Sequence, residues 1–233
     1  MQLLGIIPAR GGSKGIPGKN IKMLGGKPLL QYAALAAQSS GIFSHLILTT
    51  DSEEIADIGR KCGIEVPFMR PPELARDDTP MLPVLQHAVR WGRDQGWAPD
   101  AIAILQPTAP FRQANDLCSA FELLKSKPEI DSVVSVAAVP EHYSPYFLMK
   151  IEGERLLPFM ADGLKVTRRQ DAPKAFSRTG DFYFTRVETL MQQNSIYGTN
   201  CLPFVVSHQN RVNLDTLEDW QEAERIAARL NQT

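Results

Sequence analysis

The feature that most constrains this chain is an alternation of two hydrophobic periods. Residues 3–8 (LLGIIP), 45–50 (HLILTT), 100–105 (DAIAIL) and 132–139 (SVVSVAAV) are short continuous apolar runs, which read as buried strands. Between them apolar residues recur at helical spacing. In 29–40, Leu30, Ala33, Ala34 and Ala37 share one face before Gly41. At 51–54 acids gather in what reads as a first helical turn, and that helix ends near Cys62-Gly63. Helices are also expected over 83–96, 116–126 and 216–231, with further strands at 64–68, 181–185 (DFYFT) and 204–207 (FVVS). Continuous apolar strands alternating with amphipathic helices specify an α/β domain with a mainly parallel sheet flanked by helices. Ligands of such sheets sit at the carboxyl ends of the strands, so the loops after Pro8, Thr50 and Leu105 are where chemistry is expected.

At 233 residues the chain is expected to form a single domain, 1–233. Its rhythm breaks once, over residues 140–176, where aromatics, prolines and charges mix. There YFLMKI and RLLPFM, joined by EGE, predict a hairpin rather than a strand–helix unit, and the stretch reads as an inserted dimerisation or lid element. No internal repeat or low-complexity segment is found.

Composition enters through charge and cysteine. With 25 Lys+Arg against 26 Asp+Glu, the formal net charge of −1 argues against a nucleic-acid binder or a polybasic membrane protein. Three scattered cysteines, Cys62, Cys118 and Cys201, support neither a disulfide framework nor a zinc site and fit a reducing, cytoplasmic location. The opening MQLLGIIPAR is too short an apolar run for a signal peptide, and no stretch reaches the length of a membrane span.

The charge is unevenly placed. Arg10, Lys14, Lys19 and Lys22 fall within the first 22 residues, and no acid precedes Asp51. The loop PARGGSKGIPGKN (8–20) carries four glycines, three of these cations and Asn20 directly after the first strand. Glycines let backbone N–H groups approach an anion, and Arg with Lys neutralises a polyphosphate. A small triphosphate needs only such a local concentration, whereas a nucleic acid needs a whole basic face. Two familiar phosphate motifs fail: a Walker A register would put Ser13 at its first glycine and Asn20 at its Ser/Thr, and GxGxxG is absent.

PARGGSKGIPGKNI, followed by GGKPL, resembles the N-terminal signature of the acylneuraminate cytidylyltransferases, the CMP-sialic-acid synthetases. The likeness continues in order through TTDSEEIA (49–56), RPPELARDDTP (70–80), LQPTAPFR (105–112), RRQDAPKAF (168–176) and NLDTLEDW (213–220), and so covers nearly the whole chain. The resemblance implies a Rossmann-like fold of the nucleotide-diphospho-sugar transferase type. It implies a reaction joining the anomeric hydroxyl of a nonulosonic acid to the α-phosphate of CTP, with Mg²⁺ and release of pyrophosphate. Arg10, Lys14 and Lys19 would then serve the triphosphate and Asn20 the nucleotide, with backbone groups of Ala9, Arg10 and Gly11 meeting the base. Gln106 would contact the sugar, and Arg168, Arg169 and Gln170 lie where the substrate carboxylate could be met, although two adjacent arginines rarely both point inward. Arg112 has either a site role or a purely structural one. The resemblance also implies a homodimer, with 140–176 reaching toward the partner.

Two departures stand out. The family's D-I/L-D triplet, whose carboxylates hold Mg²⁺, is here Asn213-Leu214-Asp215; alternation puts 213 and 215 on one face, but one negative charge is gone. Asp215 is the remaining candidate ligand. The second departure, Thr179-Gly180-Asp181, introduces a new acid, so Asp181 is the candidate to restore the charge at the metal, or else the sugar pocket differs. Asp219 is assigned to the first turn of the last helix. The expected function is therefore CTP-dependent activation of a sialic-acid-like sugar. Alternatives are another keto-sugar acid such as legionaminic acid, or a catalytically weak relative that only binds nucleotide or sugar.

Overall fold

A computed structural model describes residues 1–12, 15–207 and 210–230. Along the chain run β1 (Leu3–Pro8), β2 (Met23–Leu24), β3 (Lys27–Pro28), α1 (Leu29–Ser40), β4 (His45–Thr49), α2 (Glu53–Lys61), α3 (Met81–Asp94), β5 (Ala101–Ile104) and α4 (Ala114–Ser126). Then follow β6 (Ser132–Ala138), β7 (Met149–Glu152), β8 (Arg155–Pro158), β9 (Phe176–Arg186), α5 (Val187–Gln192), β10 (Cys201–Val205) and α6 (Leu217–Leu230). The central sheet has the order β10-β6-β9-β5-β1-β4. β1 pairs in parallel with β4 and β5, and β10 with β6, whereas β9 is antiparallel to both of its neighbours. The reversal follows from the long connection between β6 and β9, which carries the hairpin β7–β8 and returns the chain from the opposite direction.

Both faces of the sheet are covered. One apolar cluster packs α1, α2 and α4 against it through Leu30, Ala34, Ile55 and Leu117; the other face takes α3 and α5 through Leu85, Val89 and Leu190. A third, smaller cluster joins α6 to the glycine-rich loop, with Ile16, Leu24, Phe111, Leu214 and Trp220 among its buried residues. Burying an Ile or Leu side chain contributes about 1.5–3 kcal/mol, so this cluster fastens a loop whose composition alone would leave it mobile.

Several boundaries differ from the sequence expectation for identifiable reasons. Residues 64–69 form only isolated bridges, Ile47 to Glu65 and Thr50 to Met69, because Pro67 cannot donate to a ladder. α3 starts at Met81 rather than 83: Pro83 sits in its first turn, where a missing N–H costs nothing. β10 runs over Cys201–Val205 rather than 204–207, and it tolerates Pro203 because it is an edge strand. α5, six residues long, is too short to show a period in the sequence. β9 extends well beyond 181–185 at its amino end and is bulged: Tyr183 pairs with Val134, but Arg178 pairs with Val136. The Ser135 hydroxyl fills the irregularity, accepting from Phe182 N–H at 3.1 Å and donating to Phe182 O at 2.9 Å. The bulge thereby holds 179–181 off the ladder. Cys62, Cys118 and Cys201 are free thiols, and among the described residues no helix is long and apolar enough to cross a membrane.

Candidate active site

The loop after β1 is pinned from three sides. Ala9, itself a core residue, donates its N–H to Thr49 O at 3.1 Å, and Gly11 N–H bonds the Asp51 carboxylate at 2.9 Å. The buried Asn20 amide donates to Arg10 O at 3.0 Å, and Ile16 anchors the far side in the third cluster. Asn20 therefore shapes the loop from within.

A cavity of about 540 Å³ opens at the carboxyl ends of β1 and β5, and Arg10, Lys19, Asn20, Gln106, Asn213 and Asp215 all line it. Lys19 Nζ bonds the Leu214 carbonyl and lies 3.4 Å from the Asp215 carboxylate. The segment between α2 and α3 supplies a further wall: Arg70, Arg76, Asp77 and Thr79. Their positions within RPPELARDDTP gave no role in the sequence; the signal available was a cluster of charges in a proline-stiffened loop. Arg10 is ion-paired with Asp77. Arg70 is buried, donating from Nε to Thr49 Oγ1 at 3.1 Å and from a terminal nitrogen to Thr49 O at 2.6 Å. Burial lowers its pKa to about 10, with Asp51 opposing and Arg10 reinforcing the shift, so it stays cationic at neutral pH. Four cations against two acids leave the lining net positive, which suits a polyanion.

Asn213-Leu214-Asp215 has the geometry its alternation predicts. Leu214 is fully buried and donates its N–H to Thr108 O at 2.9 Å, while Asn213 and Asp215 face the cavity, joined by an Nδ2 to Oδ2 bond of 3.3 Å. Among the described residues no three His, Cys, Asp or Glu side chains cluster as a metal cage. One carboxylate beside one amide is nonetheless a hard-oxygen set that suits Mg²⁺, which keeps waters and takes substrate phosphate oxygens to complete its shell. Asp219 instead caps α6, accepting from Asp215 N–H at 3.0 Å and Thr216 N–H at 2.8 Å, while Thr216 Oγ1 accepts from Asp219 N–H at 3.2 Å. Burial raises the Asp219 pKa, but these bonds outweigh it and the net shift is downward.

Asp181 does not line that cavity with Asp215, as sharing a metal there would require; it lines a neighbouring one with Arg178 and Asn213. It is buried, and its charge opposes the desolvation of Arg112, whose pKa burial lowers to about 10. Arg112, equally buried, donates to the Gln106 carbonyl and, at 2.9 Å, to Ala109 O. Arg112 thus holds the Gln106 loop from behind, and Asp181 is its counter-charge. Arg168 and Gln170 also lie apart: Arg168 grips Asp171 at 2.7 and 3.0 Å, three residues on in the same turn, and Gln170 lines a separate pocket with Arg169. Ala9 and Gly11 do not line the main cavity either, their N–H groups being committed as described above. Lys14 lies outside the described residues.

The family model described as Cytidylyltransferase matches residues 4–232. The chain is 32% identical over 232 residues to the CMP-N,N'-diacetyllegionaminic acid synthase of Campylobacter jejuni, covering 99% of this chain and 97% of that protein. It is 32% identical over 224 residues to the pseudaminic acid cytidylyltransferase of the same species, covering 96% and 95%. A solved structure of CMP:2-keto-3-deoxy-manno-octonic acid synthetase complexed with CTP aligns with a TM-score of 0.74 at 16% identity, covering 100% of this chain and 99% of that one; this likeness concerns the fold.

Proposed function

This chain belongs to the cytidylyltransferase family, and from that premise we propose that it activates a nonulosonic acid with CTP. The anomeric hydroxyl of the sugar attacks the α-phosphate, forming the CMP-sugar, and pyrophosphate leaves. The observation that carries this reading is the net-positive cavity at the ends of β1 and β5, which runs from the glycine-rich loop to Gln106 and Asp215. Phosphoryl transfer of this kind depends on positioning and charge stabilisation more than on covalent chemistry. Arg10 and Lys19, with Lys14 of the same loop, bind the triphosphate. Asn20, by holding the Arg10 carbonyl, sets the shape of the loop that meets the nucleotide. Gln106 orients the sugar. Arg168 and Gln170 meet it only where the 140–176 segment comes over the cavity.

Asp215, with the Asn213 amide beside it, would hold Mg²⁺. A bound ion there would supply positive charge against the triphosphate and the departing pyrophosphate. Lys19, close to both Asp215 and the Leu214 carbonyl, keeps the carboxylate in place.

The 140–176 segment exposes Tyr143, Ile151, Leu156, Phe159 and Leu164. Large apolar side chains exposed in such number within one segment are normally covered, and a homodimer through this segment is the reading they support. Ile151→Glu with Leu156→Glu should yield a monomer by light scattering. The free thiols and the small-molecule substrates fit a cytoplasmic enzyme.

The deciding assay measures pyrophosphate release with each of the four NTPs against a panel of keto-sugar acids including sialic, legionaminic and pseudaminic acids. Activity with CTP and a nonulosonic acid is expected; a preference for another nucleotide would overturn the reading. Asn213 supports a second reading, a weak relative that binds without turnover. CTP binding with no CMP-sugar formed from any acid would favour it.

A further inference from the structure

A second cavity of about 340 Å³ adjoins the nucleotide cavity, sharing with it the walls Met81, Gln106 and Asn213. Its lining also includes Tyr183, Ile196, Tyr197 and Arg178, and among the described residues Arg178 is the one charged side chain that lines it. We propose that Arg178, aimed by the Tyr197 hydroxyl, is the specificity-determining residue that binds the carboxylate of the acidic sugar. This rests on the function proposed above. In a 2-keto sugar acid the carboxylate sits on the same carbon as the reacting hydroxyl. It must therefore lie close to where the two cavities meet, three bonds from the α-phosphorus, and needs a cation nearby.

Four other cations are already engaged. Arg10 is engaged by Asp77, Lys19 by Asp215 and the Leu214 carbonyl, Arg70 by Thr49, and Arg168 by Asp171. The hydrogen-bond partner of Arg178 is a neutral phenol, Tyr197 Oη, with the guanidinium carbon 5.7 Å from the ring centroid, so its charge is not cancelled by that contact. The β9 bulge places it: Arg178 pairs with Val136 just before the looped-out 179–181, beside Gly180, whose positive φ of 78° brings the backbone against Gln106. A guanidinium fork also matches a carboxylate in a way a point charge does not.

Tyr197 is held with unusual rigidity for a loop residue. Asp131 accepts from Thr189 Oγ1, Gln193 Nε2, Thr199 N and Oγ1, and Asn200 N, which closes both ends of the loop. Thr185 Oγ1 donates to Ile196 O at 2.6 Å, Ser132 Oγ bonds the Tyr197 carbonyl, and the Tyr197 N–H bonds Ser195 Oγ at 3.1 Å. Such bracing is what a preorganised recognition wall requires. Tyr197 is thus a positioning residue for the Arg178 fork.

The test compares wild type with Arg178→Gln, Arg178→Lys and Tyr197→Phe, measuring CTP affinity by calorimetry and KM for the active sugar and for its carboxamide. Arg178→Gln should raise KM for the acid roughly 10- to 100-fold, leave CTP affinity unchanged, and abolish the preference for acid over carboxamide. Arg178→Lys should recover part of that preference, and Tyr197→Phe should show a smaller loss of the same kind. An unchanged KM for the acid, or a preference that persists in Arg178→Gln, overturns the proposal, as does a parallel loss of CTP affinity. Failure of wild type to turn over any acid would instead overturn the proposed function, and this assignment with it.

Discussion

Gly15 and Asp215 meet backbone to backbone: a Cβ on Gly15 would stand 2.5 Å from the Asp215 carbonyl oxygen. This contact closes the phosphate loop onto the proposed metal ligand from the other end of the chain. Gly15→Ala must push the two apart, because the obstructing atom is backbone and cannot rotate away. Turnover should fall by at least about tenfold, since sub-ångström to ångström misplacement of catalytic groups is costly. The melting temperature should fall by only a few degrees, as a loop shift costs far less than a core defect. Unaltered turnover in steady-state assays would refute this.

The Asn213-Leu214-Asp215 arrangement gives one charge where two would fit. Asp215→Asn should raise the Mg²⁺ concentration for half-maximal turnover by about tenfold or more, and Asn213→Asp should lower it. Magnesium titrations of both variants check the pair. Equal values in all three proteins would place the metal elsewhere.

Arg112 and Asp181 form a buried charge relationship behind the Gln106 loop. Arg112→Met removes the cation and leaves a buried acid behind, so denaturant unfolding should show a loss of about 3–5 kcal/mol. Asp181→Asn should also destabilise, yet leave the Mg²⁺ half-saturation of turnover where it was. A shift there would return Asp181 to the metal.

Asp131 supplies an acid-side prediction. The Asn200 N–H foremost, against an opposing contribution from burial, and then bonds from Thr199, Thr189 and Gln193, hold its pKa at about 2. The unfolded carboxyl titrates near about 3.9. The folded pKa is the lower one, so the stabilisation is full above about pH 4 and is lost as pH falls toward about 2. Asp131→Asn should be less stable at neutral pH, and its stability should fall less steeply between those values. The check is chemical unfolding as a function of pH.

Much of this was legible in the residues. The strand runs 3–8, 45–50 and 132–139 needed only their apolar continuity, because a strand buried on both faces leaves no alternative composition. The loop 8–20 announced an anion by its glycines and cations, and the alternation at 213–215 put a buried Leu between two cavity-facing polar groups. Arg70 and Arg178 were not legible as site residues, since nothing local to either says which way a long side chain turns.

What the sequence by itself determined is the local: period, turn chemistry, the family likeness and the concentration of charge before residue 22. The tertiary structure alone decided the direction of β9, its bulge, and the partners of Asp181. The physical reason is that a carboxylate's role depends on which opposite charge lies nearest in space. Asp181 opposes the desolvation of Arg112, both being buried, and the bulge beside Ser135 that holds residues 179–181 off the ladder is set by cross-strand pairing with β6, not by the residues of β9 alone.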